Sequence, residues 1–199
     1  MANTNKVNGF RPVRYLNGAP WNGQANKYVI PAGNGTATFI GDLVKADATG
    51  DDAGYQTVVQ AAASNAVLGV IVGMEVTPGS LDTPQYRAAS TRRVVWVADD
   101  PNLIFEAQED GDTDPLETTD IGLNINVVVG AGSTVTGASG MQIDSDSAAT
   151  TATLPLRLLG LVQRPDNENV LSAGGQAYTR WEVKINNHQL GSSTGVAGV

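Results

Sequence analysis

The residues with the most chemical potential in this sequence are acids. Asp110, Asp112 and Asp114 stand at alternate positions, the spacing of the opening ligands in a calcium-binding loop. The likeness stops there, because Pro115 replaces the sixth-position glycine such a loop turns on and Ile121 replaces its bidentate glutamate. A solvated acidic loop over residues 109–120 is the plainer reading, and Asp144-Ser145-Asp146 is a slighter version of the same feature. The one histidine, His188, would have to be the base of any Ser-His site, yet no G-x-S-x-G elbow surrounds a serine and there is no cysteine. His188 lies in Asn186-Asn187-His188-Gln189, a polar exit from a strand, and is expected at the surface. One histidine without cysteine is also a poor basis for zinc. The glycine pairs Gly33/Gly35 and Gly130/Gly132 lack the spacing of a phosphate cradle. A chance carboxylate pair is available for glycoside hydrolysis, but aromatics at 6% offer no sugar platform. The expectation is therefore no catalytic residue, no metal site, no cofactor and no enzyme. Arg87, Arg92 and Arg93 are expected as surface partners of carboxylates, with Arg92 and Arg93 also candidates for contacts between subunits.

The elements around these residues are short and numerous. Residues 94–97 are β-branched or aromatic, Asp99-Asp100-Pro101-Asn102 is a turn cluster, and residues 103–108 alternate, so the stretch reads as a β-hairpin. Its second arm is expected to bury one face and wet the other, and its first arm to be covered on both. Further strands are expected at 28–30, 37–40, 43–45, 57–60, 67–76, 121–129, 141–143, 154–163 and 178–185, with loops at 47–54, 145–151 and 164–177. Gly69 and Gly73, inside an apolar run, predict a bulge or a close backbone approach. The count is about nine to eleven strands with almost no helix. That predicts an all-β fold, a β-sandwich or a jelly-roll or barrel, with an extended N-terminal arm.

At 199 residues the chain suits one domain: an arm over residues 1–27, a single β domain over 28–189 and a flexible tail over 190–199. Without cysteine, extra stability must come from the core or from association. No stretch reads as a signal peptide or membrane span. The net charge of -8 disfavours nucleic acid, and its distribution favours docking on an acidic protein surface. Lys6, Arg11, Arg14 and Lys27 fall in residues 1–30 with no acid, while the rest holds 8 basic and 20 acidic residues. The arm also carries Phe10, Tyr15, Leu16 and Trp21, so it is expected to bury itself on its own body or on a neighbouring subunit.

Three stretches resemble the capsid decoration, or cement, proteins of tailed bacteriophages. They are Asn8-Gly9-Phe10-Arg11-Pro12-Val13 with Leu16-Asn17-Gly18 and Asn26-Lys27-Tyr28; Gly41-Asp42-Leu43-Val44-Lys45 with Leu68-Gly69-Val70-Ile71-Val72-Gly73; and residues 99–110 with 181–189. The resemblance implies a structural virion protein on the outer capsid surface, made in the host cytoplasm. It would be a dimer or trimer that cements joints between major capsid protein subunits. It implies no cofactor, nucleic acid or membrane. Phe10, Arg11, Arg14, Tyr15, Trp21, Arg92 and Arg93 are the candidate capsid or oligomer contacts. A carbohydrate- or receptor-binding β module, or another phage head or tail component, is the alternative.

Overall fold

The computed structural model describes residues 3–80, 82–168, 175–192 and 194–199. Eleven strands appear among them: β1 (Arg11–Tyr15), β2 (Asn26–Ile30), β3 (Leu43–Gly50), β4 (Gln56–Gln60), β5 (Gly69–Met74), β6 (Arg93–Ala98), β7 (Leu103–Gln108), β8 (Asn124–Val128), β9 (Gln142–Ala149), β10 (Leu156–Leu161) and β11 (Arg180–Ile185). The only helical element among the described residues is the 3-10 turn Thr118–Asp120, and no helix there is long and apolar enough to cross a membrane.

The fold is all-β, as expected, and consists of two sheets. Strands β2-β4-β3-β5-β6 form a closed barrel, and β1-β7-β11-β10-β8-β9 form a six-stranded sheet. Barrel and sheet fall almost wholly into the first and second halves of the chain. The exception is β1, which leaves the barrel half to pair with β7. A parallel bridge between Glu109 and Ile143 returns β9 to the end of β7, so the sheet curls towards closure.

Each half buries its own apolar stripe. Tyr28, Ile30, Val44, Val58, Leu68, Ile71, Val95 and Val97 fill the barrel. The larger core lies inside the curled sheet, where Phe105, Ile125, Ile143, Leu158, Trp181 and Val183 meet Leu43, Ala61, Val67, Val70 and Ala98 from the barrel. A single apolar cluster thus spans both sheets. Two glycines permit the close approaches at their junction. Gly9, at φ +63, lies against Gly41, where a Cβ would come within 2.6 Å of the Gly41 carbonyl oxygen, and the Phe10 N–H donates to that carbonyl. Phe10 is thereby placed in the larger core.

The expected hairpin at residues 94–108 does not form. β6 pairs with β2 and β5, whereas β7 pairs with β1 and β11. The turn at residues 99–102 carries the chain from barrel to sheet. Two good strands flanking a good turn need not pair with each other, because each finds longer ladders elsewhere. All six residues of β7 are buried. Its polar positions Glu106 and Gln108 face away from the core but are covered: Arg164 and Arg180 close over Glu106, while Gln108 bonds to the Thr4 and Tyr178 carbonyls and to the Lys6 N–H. The wet face expected of this strand is roofed by chain remote in sequence.

Other differences have local causes. Residues 37–40 make only isolated bridges, since the Phe39 N–H goes to the Asp42 carboxylate and the Ile40 N–H to the Gly137 carbonyl. The loops expected at 47–54 and 145–151 are partly strand, because β3 and β9 run on to Gly50 and Ala149 against hairpin partners. Both glycine expectations in β5 hold. A Cβ on Gly69 would meet the Ala98 carbonyl oxygen at 2.3 Å, and the β5/β6 register shifts at Gly73. The N-terminal segment lies along the body, with β1 laddered on β7. The tail is tied down as well: Val196 exchanges bonds with Asn186 and Asn124, Gly198 donates to the Thr150 carbonyl and Val199 to that of Gly122. The middle of the loop expected over 164–177, tail residue 193 and the first two residues of the chain lie outside the described residues.

Candidate functional site

The register of the six-stranded sheet sorts its side chains into two faces. Pairings of Val183 with Phe105 and of Leu158 with Val183 set the inner face. Pairings of Arg11 and Glu182 with Glu106, of Arg14 and Lys184 with Ile104, of Arg180 with Gln108 and of Arg157 with Lys184 set the outer one. β11 shows the pattern in its sequence, where Arg180, Glu182 and Lys184 alternate with buried Trp181, Val183 and Ile185. Together with Arg164 from the loop after β10, the outer face holds Arg11, Arg14, Arg157, Arg180 and Lys184, half of the 12 basic residues of a chain with net charge -8.

Part of this charge is neutralised in place. Glu106 receives a bidentate pair from Arg164 at 2.8 and 2.9 Å and a third bond from Arg180 at 3.2 Å. Glu182 receives Arg14 through Nε and an NH2 group, at 3.3 and 2.5 Å. Such forked pairs fix the guanidinium planes and make the centre of the face rigid. Arg11, Arg157 and Lys184 have no acidic partner among the described residues. The face therefore carries excess positive charge.

The contacts expected from sequence divide between inside and outside. Arg11 and Arg14 are on the outer face. Tyr15 and Trp21 are half-buried and fold the segment after β1 back on itself, both bonding to Gln24, and the Trp21 N–H meets the Val13 carbonyl. That return covers the free edge of β1, where unpaired backbone would otherwise invite another strand. Arg92 is exposed and forks onto Asp51 at 2.5 and 3.1 Å. Phe10, 1% exposed, and Arg93, 7% exposed, are interior residues and present no surface for a partner. Arg93 donates to the Glu75, Pro84 and Tyr86 carbonyls. Arg87, expected at the surface, is completely buried, with donors on the carbonyls of Pro31, Asn34, Thr36 and Thr91. Burial pulls both arginines below the usual guanidinium range, and neither has a carboxylate partner among the described residues. They brace loops at one end of the barrel, beside the stacked rings of Phe39 and Tyr86.

The two acidic stretches separated in sequence come together in space. Asp110 accepts from the Ser145 N–H and hydroxyl. Partial desolvation, added to by the mutual charge of Asp110, Asp112, Asp114, Asp144 and Asp146, raises Asp144 and Asp146 above the usual carboxylate range. Among the described residues no group of three or more such side chains is arranged to hold a metal ion. The molecule thus has an acidic edge at β9 and a basic outer face over β1, β11 and β10.

Two carboxylates are perturbed chiefly by burial. Asp42 accepts from the Phe39 N–H and from Gln60, and desolvation raises it. Glu109 points inward where the sheet curls towards closure and accepts from the Leu116 and Thr179 N–H groups at 2.9 and 3.3 Å; burial pushes it up to about 7. Both are shut off from solvent. His188 is also interior, 2% exposed, contrary to its polar neighbours in sequence. The backbone bridge between Val67 and His188 joins barrel to sheet and carries the ring inside. The Glu106, Glu182, Arg157 and Lys184 positions were not among the residues singled out from sequence, although the alternation in β11 contains their signal. In comparison with protein-family models, curated proteins and solved structures, nothing matches the chain.

Proposed function

We propose that the chain is a structural virion protein that binds the outer surface of a phage head and cements joints between major capsid protein subunits. The observation that carries the reading is the basic outer face of the six-stranded sheet on an otherwise acidic molecule. Its central ion pairs hold it rigid, and Arg11, Arg157 and Lys184 remain to meet acids on a partner. Each such contact at a wet rim is worth ~1 kcal/mol or less, so useful affinity requires many at once, as a repeating capsid lattice offers. The acidic edge on β9 could serve the same kind of contact with a second copy, in keeping with a dimer or trimer. The fully buried state of Asp42, Glu109 and His188 supports a role without catalysis, since no substrate reaches them.

The test is co-sedimentation with empty heads of the accompanying capsid protein. Wild-type protein is expected to bind at a fixed, saturable ratio that weakens as salt screens the charges. Arg11→Glu combined with Lys184→Glu is expected to abolish binding while leaving the fold intact. A wild-type protein that never sediments with heads overturns the reading.

A groove of about 500 Å³ lined by Tyr15, Gln24, Asn26, Asp99, Asp100 and Leu190 favours the second reading, carbohydrate binding, because it offers one aromatic ring amid amides and carboxylates. Saturable binding on a glycan array that Tyr15→Ala removes would establish it.

A further inference from the structure

The sequence holds four Asn-Gly pairs, at Asn8, Asn17, Asn22 and Asn34, and one Asp-Gly pair at Asp110. In such a pair the glycine nitrogen, unshielded by any Cβ, can attack the side-chain carbonyl carbon of the residue before it. The attack needs a glycine N–H free of other bonds, a side-chain carbonyl not held elsewhere and a backbone with room to turn. The fold withholds these conditions from four of the five pairs. Asn34 Oδ1 accepts the Thr36 N–H at 2.8 Å and lies 3.4 Å from an Arg87 donor, while the Asn34 carbonyl takes the Ser90 N–H and a further Arg87 bond. Asn17 Oδ1 accepts the Ala19 N–H at 3.0 Å, and the Gly18 N–H is committed to the Tyr15 carbonyl at 2.9 Å. Gly9 is buried against Gly41. Asp110 is held by the Ser145 N–H and hydroxyl, with the Tyr178 ring packed on Gly111.

Asn22-Gly23 is the exception. Both residues are exposed, neither makes a hydrogen bond among the described residues, and nothing lies within 4 Å of the position a Cβ on Gly23 would take. Space alone does not single the pair out, since Gly18 and Gly35 are equally open. The free nitrogen and the free amide do. The chain on either side is fastened: the Trp21 N–H donates to the Val13 carbonyl at 3.0 Å, Trp21 Nε1 to the Gln24 carbonyl at 3.1 Å, and the Tyr15 hydroxyl to Gln24 Oε1 at 3.1 Å. Asn22 and Gly23 thus form an unbonded tip on the segment that covers the edge of β1.

We propose that Asn22 is a self-modification site, deamidating and isomerising through the Gly23 backbone nitrogen. Base removes the Gly23 N–H proton, the bond from that nitrogen to Asn22 Cγ forms, and the side-chain nitrogen leaves as ammonia. Water then opens the resulting succinimide at either carbonyl. The net exchange is amide and water for carboxylate and ammonium, and it needs no oxidant or cofactor. Opening at one carbonyl gives aspartate, and at the other isoaspartate, whose backbone is longer by a methylene. Either product puts an acid into residues 1–30, which otherwise hold Lys6, Arg11, Arg14 and Lys27 and no acid. Isoaspartate also lengthens the tip between Trp21 and Gln24, which pulls the Trp21 N–H from Val13 and uncovers the β1 edge. The site stands whether or not the protein docks on a capsid.

The folded full-length protein is incubated at neutral and mildly alkaline pH beside the same chain in denaturant. Both are sampled over time by peptide mass spectrometry that separates aspartyl from isoaspartyl products. In denaturant the four Asn-Gly pairs are expected to convert at similar rates. In the folded protein Asn22 is expected to stay close to that rate and to speed up with hydroxide. The other three are expected to fall at least about tenfold behind, the factor that one net interaction to be broken beforehand supplies. An Asn22 left intact while the denatured chain converts, or one that converts no faster than Asn17 and Asn34, overturns the proposal. Amide hydrogen exchange on the aged protein reads the structural consequence. The isoaspartyl fraction is expected to lose protection at the Trp21 N–H, whereas Asn22→Asp keeps it; equal protection in the two overturns the uncovering of β1.

Discussion

The barrel and the curled sheet use arginine in opposite ways. In the barrel half, Arg87 and Arg93 are drawn inside and spend their donors on backbone carbonyls, with no carboxylate partner among the described residues. In the sheet half, Arg14, Arg164 and Arg180 lie over the outer face and fork onto Glu182 and Glu106. One group braces loops that have too few partners of their own; the other builds a charged surface that can meet something else. The difference teaches that an arginine's role follows from the acceptors around it. Backbone carbonyls in a loop cage make it structural, and carboxylates on a strand make it part of a surface.

The strongest attempt to break this contrast acts where the halves meet. Phe10→Ala empties a site in the shared core and is expected to cost about 3–5 kcal/mol in denaturant unfolding, because its cavity is hemmed in by both sheets. A loss below about 1 kcal/mol would mean that the N-terminal segment is not part of the core.

Arg87→Met comes next, at about 3 kcal/mol or more, since it strips the carbonyls of Pro31, Asn34, Thr36 and Thr91 of a charged donor in a buried place. Its exposed neighbour gives the control. Arg92→Met loses only the surface pair with Asp51 and is expected to cost ~1 kcal/mol or less. Equal losses at the two positions would erase the distinction between brace and surface.

The curled sheet has a pH dependence centred on Glu109. Glu109 titrates at about 7 in the fold against 4.5 for the ordinary group, so the native state holds its proton more tightly than the unfolded chain. Its contribution is greatest below pH 4.5 and is lost as pH rises to about 7, by up to about 3 kcal/mol, after which the loss is constant. Unfolding free energies measured from pH 4.5 to 8 should fall through this window, and Glu109→Gln should flatten that fall. The glutamine is expected to be less stable than wild type at low pH, because its amide nitrogen cannot accept one of the two backbone N–H bonds.

The smallest effect on stability is expected at Arg11, where alanine should change unfolding by ~0.5 kcal/mol or less. A measurable loss of head binding from the same substitution would separate docking from folding on that face.

Much of the fold was legible in the chain itself. The scarcity of helical period, the regular turn clusters and the alternation in Arg180–Ile185 fix an all-β molecule with about the right number of strands, because strand formation here follows the local alternation of apolar and polar residues. Gly69 and Gly73 marked their close approach and bulge before any partner was known. Strand partners were not legible. Residues 93–98 and 103–108 look like one hairpin, yet belong to different sheets, because ladder choice depends on every competing strand and not on the turn between two of them. The candidate site shows the same division. Residue type alone said that Arg11, Arg14, Arg157 and Lys184 are cations, and strand parity could place those in strands on one side or the other. Only the tertiary structure decided that Arg87, Arg93 and His188 would be buried and that the outer face would gather half the basic residues. Burial of a polar side chain is settled by whether distant segments supply carbonyls, carboxylates or a cavity for it, and that supply is a property of the whole fold.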